Sequence, residues 1–216
     1  MTVLEVKNLQ KSFGGVRAVS NVSFSIATGE LLAMIGPNGA GKTTCFNLIN
    51  GQIRADAGEV FLDERKIQEL APRELWRLGV GRTFQVTATF GSMTVRENVQ
   101  VALLSRARGL GSLLSSASKA FSSEADELLA RVGMREQAER PCAVLAYGDL
   151  KRVELAVALA CRPRLLLMDE PTAGMAPVER YQIMHLAAEL ARSSRIAVLF
   201  TEHDMDVVFR HADRVI

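Results

Sequence analysis

The sequence predicts an α/β fold with a mixed, largely parallel core sheet, an antiparallel β part at the N-terminus and a helical insertion. Three observations carry that expectation. Short continuous apolar runs recur as LLAMI (31–35), LLLM before an acid pair (165–170) and IAVLFT (196–201), the pattern of strands buried on both faces. A helical segment precedes the second and third runs, and strands alternating with helices build parallel sheets. A glycine-rich stretch, GPNGAGKTT (36–44), follows the first run directly and opens a further helix.

Taken in order, residues 1–35 read as β-rich, with VLEVKNL and VSFSI alternating apolar and polar positions. After the glycine-rich stretch, CFNLIN continues as a helix ending near Gly51, and RADAGEVFLDERKI predicts a hairpin carrying the strand EVFL. The character changes between about 95 and 145. TVRENVQVALLSRARG is helical in pattern, GLGSLLSSASKAFSS is small and polar, and SEADELLARVGM is amphipathic with acids near its start. This divides the chain into a core of residues 1–94 and 146–216 and a helical subdomain of residues 95–145. FRHADRVI ends on Val215 and Ile216, residues of strand type, so the expectation is a strand that continues past the end of the chain.

Composition narrows the function classes. With 48% hydrophobic and 23% charged residues the chain can bury a core and is not disordered by composition. A net charge of +2 gives no support to a nucleic-acid partner. Cys45, Cys142 and Cys161 are far apart with no CxxC pair, as in a reduced chain whose cysteines pack rather than bind metal. The N-terminus has no signal-peptide core, and no apolar run approaches the ~20 residues of a membrane span.

The chemistry is concentrated in a few motifs. Gly36, Pro37, Asn38, Gly39, Ala40, Gly41, Lys42 and Thr43 fit G-x-x-x-x-G-K-[ST], with Thr44 next in the helix start. The glycines let the backbone curl so that successive N–H groups point at phosphate oxygens. Lys42 then neutralises the outer phosphates, and the Thr43 hydroxyl is placed for Mg2+. Asp169 and Glu170 end the second apolar run. At a strand end one carboxylate can hold Mg2+ while the other polarises an attacking water. A third feature is LAYGDLKRVELAVALA (145–160), where Gly148 stands at a helix start. A helix N-terminus favours an anion, yet Gly148 is followed at once by the acid Asp149 and not by the lysine that stands at the centre of a phosphate loop.

In this order the motifs resemble the nucleotide-binding subunit of an ABC transporter, over essentially the whole chain. The resemblance implies the P-loop NTPase fold, ATP and Mg2+ as ligands, and ATP hydrolysis. It also implies roles residue by residue. Phe13 in FGGVRAV matches the aromatic that stacks on adenine. Gln85 in GRTFQ matches the glutamine whose amide touches Mg2+ or the attacking water. Asp169 matches the metal carboxylate, Glu170 the general base and His203 in FTEHD the switch histidine at the γ phosphate. His185 and His211 match nothing and read as structural or exposed. Leu145, Ala146, Tyr147, Gly148 and Asp149 align with the signature LSGGQ, which in this family serves the ATP of a second subunit packed head to tail, whether identical or different.

Two departures stand out. Ala146 replaces the signature serine and Asp149 its glutamine, so Asp149 either repels a nearby phosphate or turns to cap its own helix. Ala176 in PTAGMAPVE replaces an aspartate that crosses the dimer interface in the family. Within the family, GRTFQ, MTVRENV, LAYGD and AGMAP look most like the ATPase subunits of branched-chain amino-acid importers and their urea or amide relatives. Those subunits carry a long helical insertion at the position of residues 100–123. The resemblance implies two membrane-spanning permease subunits, an extracytoplasmic solute-binding protein and a peripheral place on the cytoplasmic face of the membrane. Two alternatives remain open at this stage: a catalytically weak regulatory module, suggested by Ala146 and Ala176, and a soluble non-transport ATPase.

Overall fold

The computed structural model describes residues 1–83, 88–107 and 121–216. Two sheets face each other. In the first, β1 (Thr2–Phe13) pairs antiparallel with β2 (Val16–Ala27) and with β4 (Ala57–Leu62), and β5 (Arg65–Lys66) extends the β4 edge, giving the order β2-β1-β4-β5. Gly14 and Gly15, with φ 51° and 88°, make the left-handed two-residue turn of the β1–β2 hairpin.

The second sheet is parallel throughout. β3 (Leu31–Met34), β6 (Val80–Thr83), β7 (Leu165–Asp169), β8 (Ala197–Thr201) and β9 (Arg214–Val215) lie in the order β6-β7-β8-β3-β9. The three apolar runs of the sequence are β3, β7 and β8, and every residue of these strands is buried. Strand alternation divides their side chains between two cores. Leu32, Met34, Leu165, Leu167 and Leu199 pack toward the antiparallel sheet and Phe46, whereas Leu31, Ala33, Leu166, Met168 and Phe200 pack toward the helices.

Helix α1 (Lys42–Ile49) leaves the end of β3, and the short α2 (Pro72–Arg77) precedes β6. In α3 (Val95–Arg106), Thr94 is the cap: its hydroxyl accepts the Glu97 N–H, and Glu97 accepts the Thr94 N–H at 2.7 Å. That capping box explains why MTVREN starts a helix. α4 (Ser122–Arg131) and two short 3-10 turns (Arg135–Gln137, Cys142–Val144) lead to α5 (Tyr147–Leu159). Most of the small polar stretch expected to connect the helices lies at 108–120, outside the described residues. α6 (Pro177–Ser194) and α7 (Met205–His211) complete the helical layer. No described helix is long and apolar enough to cross a membrane. All three cysteines are free and buried, with burial pushing the Cys45 and Cys161 thiols up to about 12.

Candidate functional site

Parallel strands end together, and loops leaving their C-terminal ends converge on one edge of the sheet. Here β3 delivers the glycine-rich loop, β7 delivers Asp169 and Glu170, and β8 delivers Thr201, Glu202 and His203.

The loop turns on left-handed glycines. Gly39 and Gly41 have φ 84° and 89°, and a Cβ on Gly41 would lie 2.0 Å from the carbonyl oxygen of Ala18 in β2. Only glycine lets the loop close so tightly on the antiparallel sheet. Gly41 also precedes α1 with no side chain capping the helix, so the first-turn N–H groups are available to an anion. The Lys42 ammonium reaches back into the curl and donates to the Gly36 carbonyl at 2.6 Å and the Pro37 carbonyl at 3.1 Å. A cleft of about 200 Å3 is lined by Ala18, residues 38–44 and Glu170. The phosphate loop and one of the two acids therefore share a wall.

The acids have separate surroundings. Asp169 is 7% exposed; its Oδ1 accepts the Thr201 hydroxyl at 2.9 Å, and its Oδ2 lies 3.4 Å from an Arg82 guanidinium nitrogen. Arg82, on β6, also donates to Asn47 of α1 at 2.8 Å and to Gln52 at 3.3 Å. Burial lowers the Arg82 pKa, and the Asp169 charge opposes that shift. Glu170 stands differently, with φ 47°, a left-handed conformation that costs a non-glycine residue about 1 kcal/mol or more. The Glu170 N–H donates to Thr201 Oγ1 at 3.0 Å, which holds that conformation. Its carboxylate Oε1 meets His203 Nε2 at 2.9 Å. A carboxylate turned toward the phosphate loop and in contact with an imidazole can take a proton from water and pass it on.

The remaining expected residues fall in several places. Phe13 is 49% exposed at the β1–β2 hairpin with the Lys11 ammonium 5.4 Å over its ring, and it does not line the cleft beside the loop. Gln85 lies outside the described residues. Leu145 ends a 3-10 turn and Ala146 occupies the N-cap of α5 with no side-chain cap, followed by Tyr147, Gly148 and Asp149 in the first turn. Asp149 does not turn to cap its own helix. Its carboxylate accepts the Gln137 amide at 3.3 Å, away from its own helix cap. Ala176 is the N-cap of α6, where Glu179 accepts its N–H at 3.2 Å. A Cβ on Gly148 would lie 3.3 Å from the same Glu179 carboxylate, so the α5 and α6 starts are neighbours. His185 is exposed beside Glu189, and His211 is buried.

Sequence reasoning missed Arg82, Thr201 and Glu202. A charged or hydroxyl residue within or at the end of a buried strand was the available signal, because such groups persist there only with partners.

The ABC transporter family profile matches residues 19–173. The high-affinity branched-chain amino acid transport ATP-binding protein LivG of Salmonella typhimurium is 40% identical over 99% of this chain and 86% of its own length. BraF of Pseudomonas aeruginosa, with the same description, is 38% identical over 99% and 87%. Among solved structures, a nucleotide-free ATP-binding cassette from an ABC transporter superposes with a TM-score of 0.86 at 33% identity, covering 99% of this chain and 86% of that one. A dimeric cassette in a post-hydrolysis state, bound to ADP and Pi, superposes with a TM-score of 0.82 at 29% identity, covering 99% and 93%.

Proposed function

The chain belongs to the ABC transporter family as an ABC-type ATPase of an importer, and we propose that its cargo is branched-chain amino acids, as in the names of its relatives. The observation that carries the site assignment is the 2.9 Å contact between His203 and Glu170, at the wall of the phosphate-loop cleft. In this reading the loop from Gly36 to Thr44 wraps the ATP phosphates with backbone N–H groups. Lys42 exchanges its two loop carbonyls for phosphate oxygens. Glu170 is the general base for an in-line water, and His203 orients that carboxylate and the γ phosphate. Gln85 joins this set beside the water or the metal, and Phe13 offers an exposed ring for adenine stacking.

Mg2+ takes hard oxygen donors, and the Asp169 carboxylate and exposed Thr43 hydroxyl suit it, with phosphates and waters completing the shell. When bound it supplies charge neutralisation at the phosphates. The α5 start, residues 145–149, is read as half of a second site: its uncapped N–H groups serve the ATP held by another cassette, head to tail. Residues 95–145 act as a helical subdomain leading to that half-site. Two permease subunits and an extracytoplasmic binding protein complete the importer, with this subunit peripheral on the cytoplasmic face.

The test compares ATPase turnover of the chain with that of Glu170→Gln. Loss of a general base lowers kcat by about 10^2–10^4-fold, while the variant still binds ATP and accumulates as an ATP-bound dimer. Turnover by Glu170→Gln equal to wild type would exclude Glu170 as the base.

A further inference from the structure

Glu202, between the end of β8 and His203, is 4% exposed. Among the described residues no cationic side chain lies within ion-pair distance of it, a costly situation for a carboxylate. Three hydrogen bonds meet that cost. Its Oε1 accepts both the Thr172 N–H at 2.9 Å and the Thr172 hydroxyl at 2.7 Å, and its Oε2 accepts the His203 N–H at 3.2 Å. All three partners are donors, so the site suits an acceptor-only group, which an ionised carboxylate is and an amide is not.

The two loops joined in this way carry the hydrolytic pair. Thr172 follows Glu170 by two residues, and His203 follows Glu202 directly. Glu170 is held in its left-handed conformation from one side by Thr201. Glu202 holds the next turn of that loop and the backbone of the histidine together. We propose that Glu202 is a positioning residue for ATP hydrolysis: it ties the loop after β7 to the loop after β8 through Thr172 and His203, and so sets the Glu170–His203 contact. Glu202 touches neither nucleotide nor water in this scheme. The inference rests on the reading of Glu170 and His203 as the hydrolytic pair.

Glu202→Gln tests it with little change of shape. The carboxamide keeps one acceptor for Thr172 and turns an N–H toward the His203 N–H, so one tie is lost. The expected result is a kcat lower by about tenfold or more, with affinity for a non-hydrolysable ATP analogue within about twofold of wild type. Hydrogen exchange at the His203 amide accelerates in the variant by about tenfold or more. A second pair of variants covers the case in which Glu202→Gln does not fold. Thr172→Val removes one donor and lowers kcat, and Thr172→Ser restores it. Wild-type kcat in Glu202→Gln, or equal kcat in Thr172→Val and Thr172→Ser, overturns the proposal. A wild-type chain without turnover would instead remove the hydrolytic reading. The exchange at His203 then decides the tie on its own, with unchanged exchange in Glu202→Gln overturning it.

Discussion

His203 Nε2 and Glu170 Oε1 are 2.9 Å apart, joined across the ends of two adjacent parallel strands by residues 33 positions apart in sequence. The imidazole is about half exposed and the carboxylate largely covered, 46% against 21%, so the histidine shields the base from one side while much of its own ring faces solvent. Removing the ring should leave ATP binding intact and unlock the carboxylate. His203→Ala is expected to lower kcat about a hundredfold or more, with little change in affinity for a non-hydrolysable ATP analogue. A parallel loss of affinity and turnover would assign His203 to substrate binding alone.

Two glycines of the phosphate loop share a left-handed backbone but differ in surroundings. A Cβ on Gly41 meets the Ala18 carbonyl at 2.0 Å, whereas one on Gly39 meets nothing within 4 Å. Gly39→Ala therefore costs the strain alone, about 1 kcal/mol. Gly41→Ala adds a clash with backbone that no rotamer relieves, for a total of about 3 kcal/mol or more. In a domain of this size the expected falls in Tm are about 2–4 °C and about 6–12 °C. Thermal unfolding of the two variants checks the contrast, and equal shifts would refute it.

Arg82 and Asp169 form a buried pair, with side chains 7% and 9% exposed. Breaking such a pair from one side leaves the other charge without compensation, so Arg82→Met is expected to cost about 3–5 kcal/mol in urea unfolding. Adding Asp169→Asn removes the stranded charge. The double variant should then lose less than the sum of the single losses, by about 1–3 kcal/mol. Strict additivity would show that contacts of Arg82 other than Asp169, those to Asn47 and Gln52 among them, carry its contribution.

What was legible in the sequence follows from how local each feature is. The phosphate loop, β3, β7 and β8 announce themselves through contiguous residues, and the family reading from those motifs agrees with the relatives found. Arg82 reads locally as a polar interruption of VGRT. Its meaning depends on Asp169, 87 residues away, which only the parallel pairing of β6 with β7 brings into reach. Glu202 has the same character, since its partner Thr172 is 30 residues away. Asp149 is a milder case. Its position in a helix first turn was readable, but the amide that takes its carboxylate comes from the 3-10 turn at Arg135–Gln137. Contacts between strand ends are set by sheet order, and no periodicity along the chain encodes that order.

His211 gives the fold a dependence on pH separate from the site. Its ring is buried beside Tyr181, at 5.2 Å between centroids, and its Nε2 has no hydrogen-bond partner among the described residues. Burial, and then the nearby His185, Arg210 and Arg192, lower its pKa from the ordinary value of 6.5. The folded state therefore favours the neutral ring. Above pH 6.5 both folded and unfolded chains hold it neutral, and the stability is complete. As pH falls below 6.5 the unfolded chain binds the proton first, and stability drains until the folded pKa is passed. Unfolding free energies from urea titrations between pH 7.5 and pH 5 should fall in the wild type. The decline should be shallower in His211→Leu, which keeps an apolar group against Tyr181 and cannot titrate. Equal slopes for the two proteins would mean that other groups set the acid sensitivity.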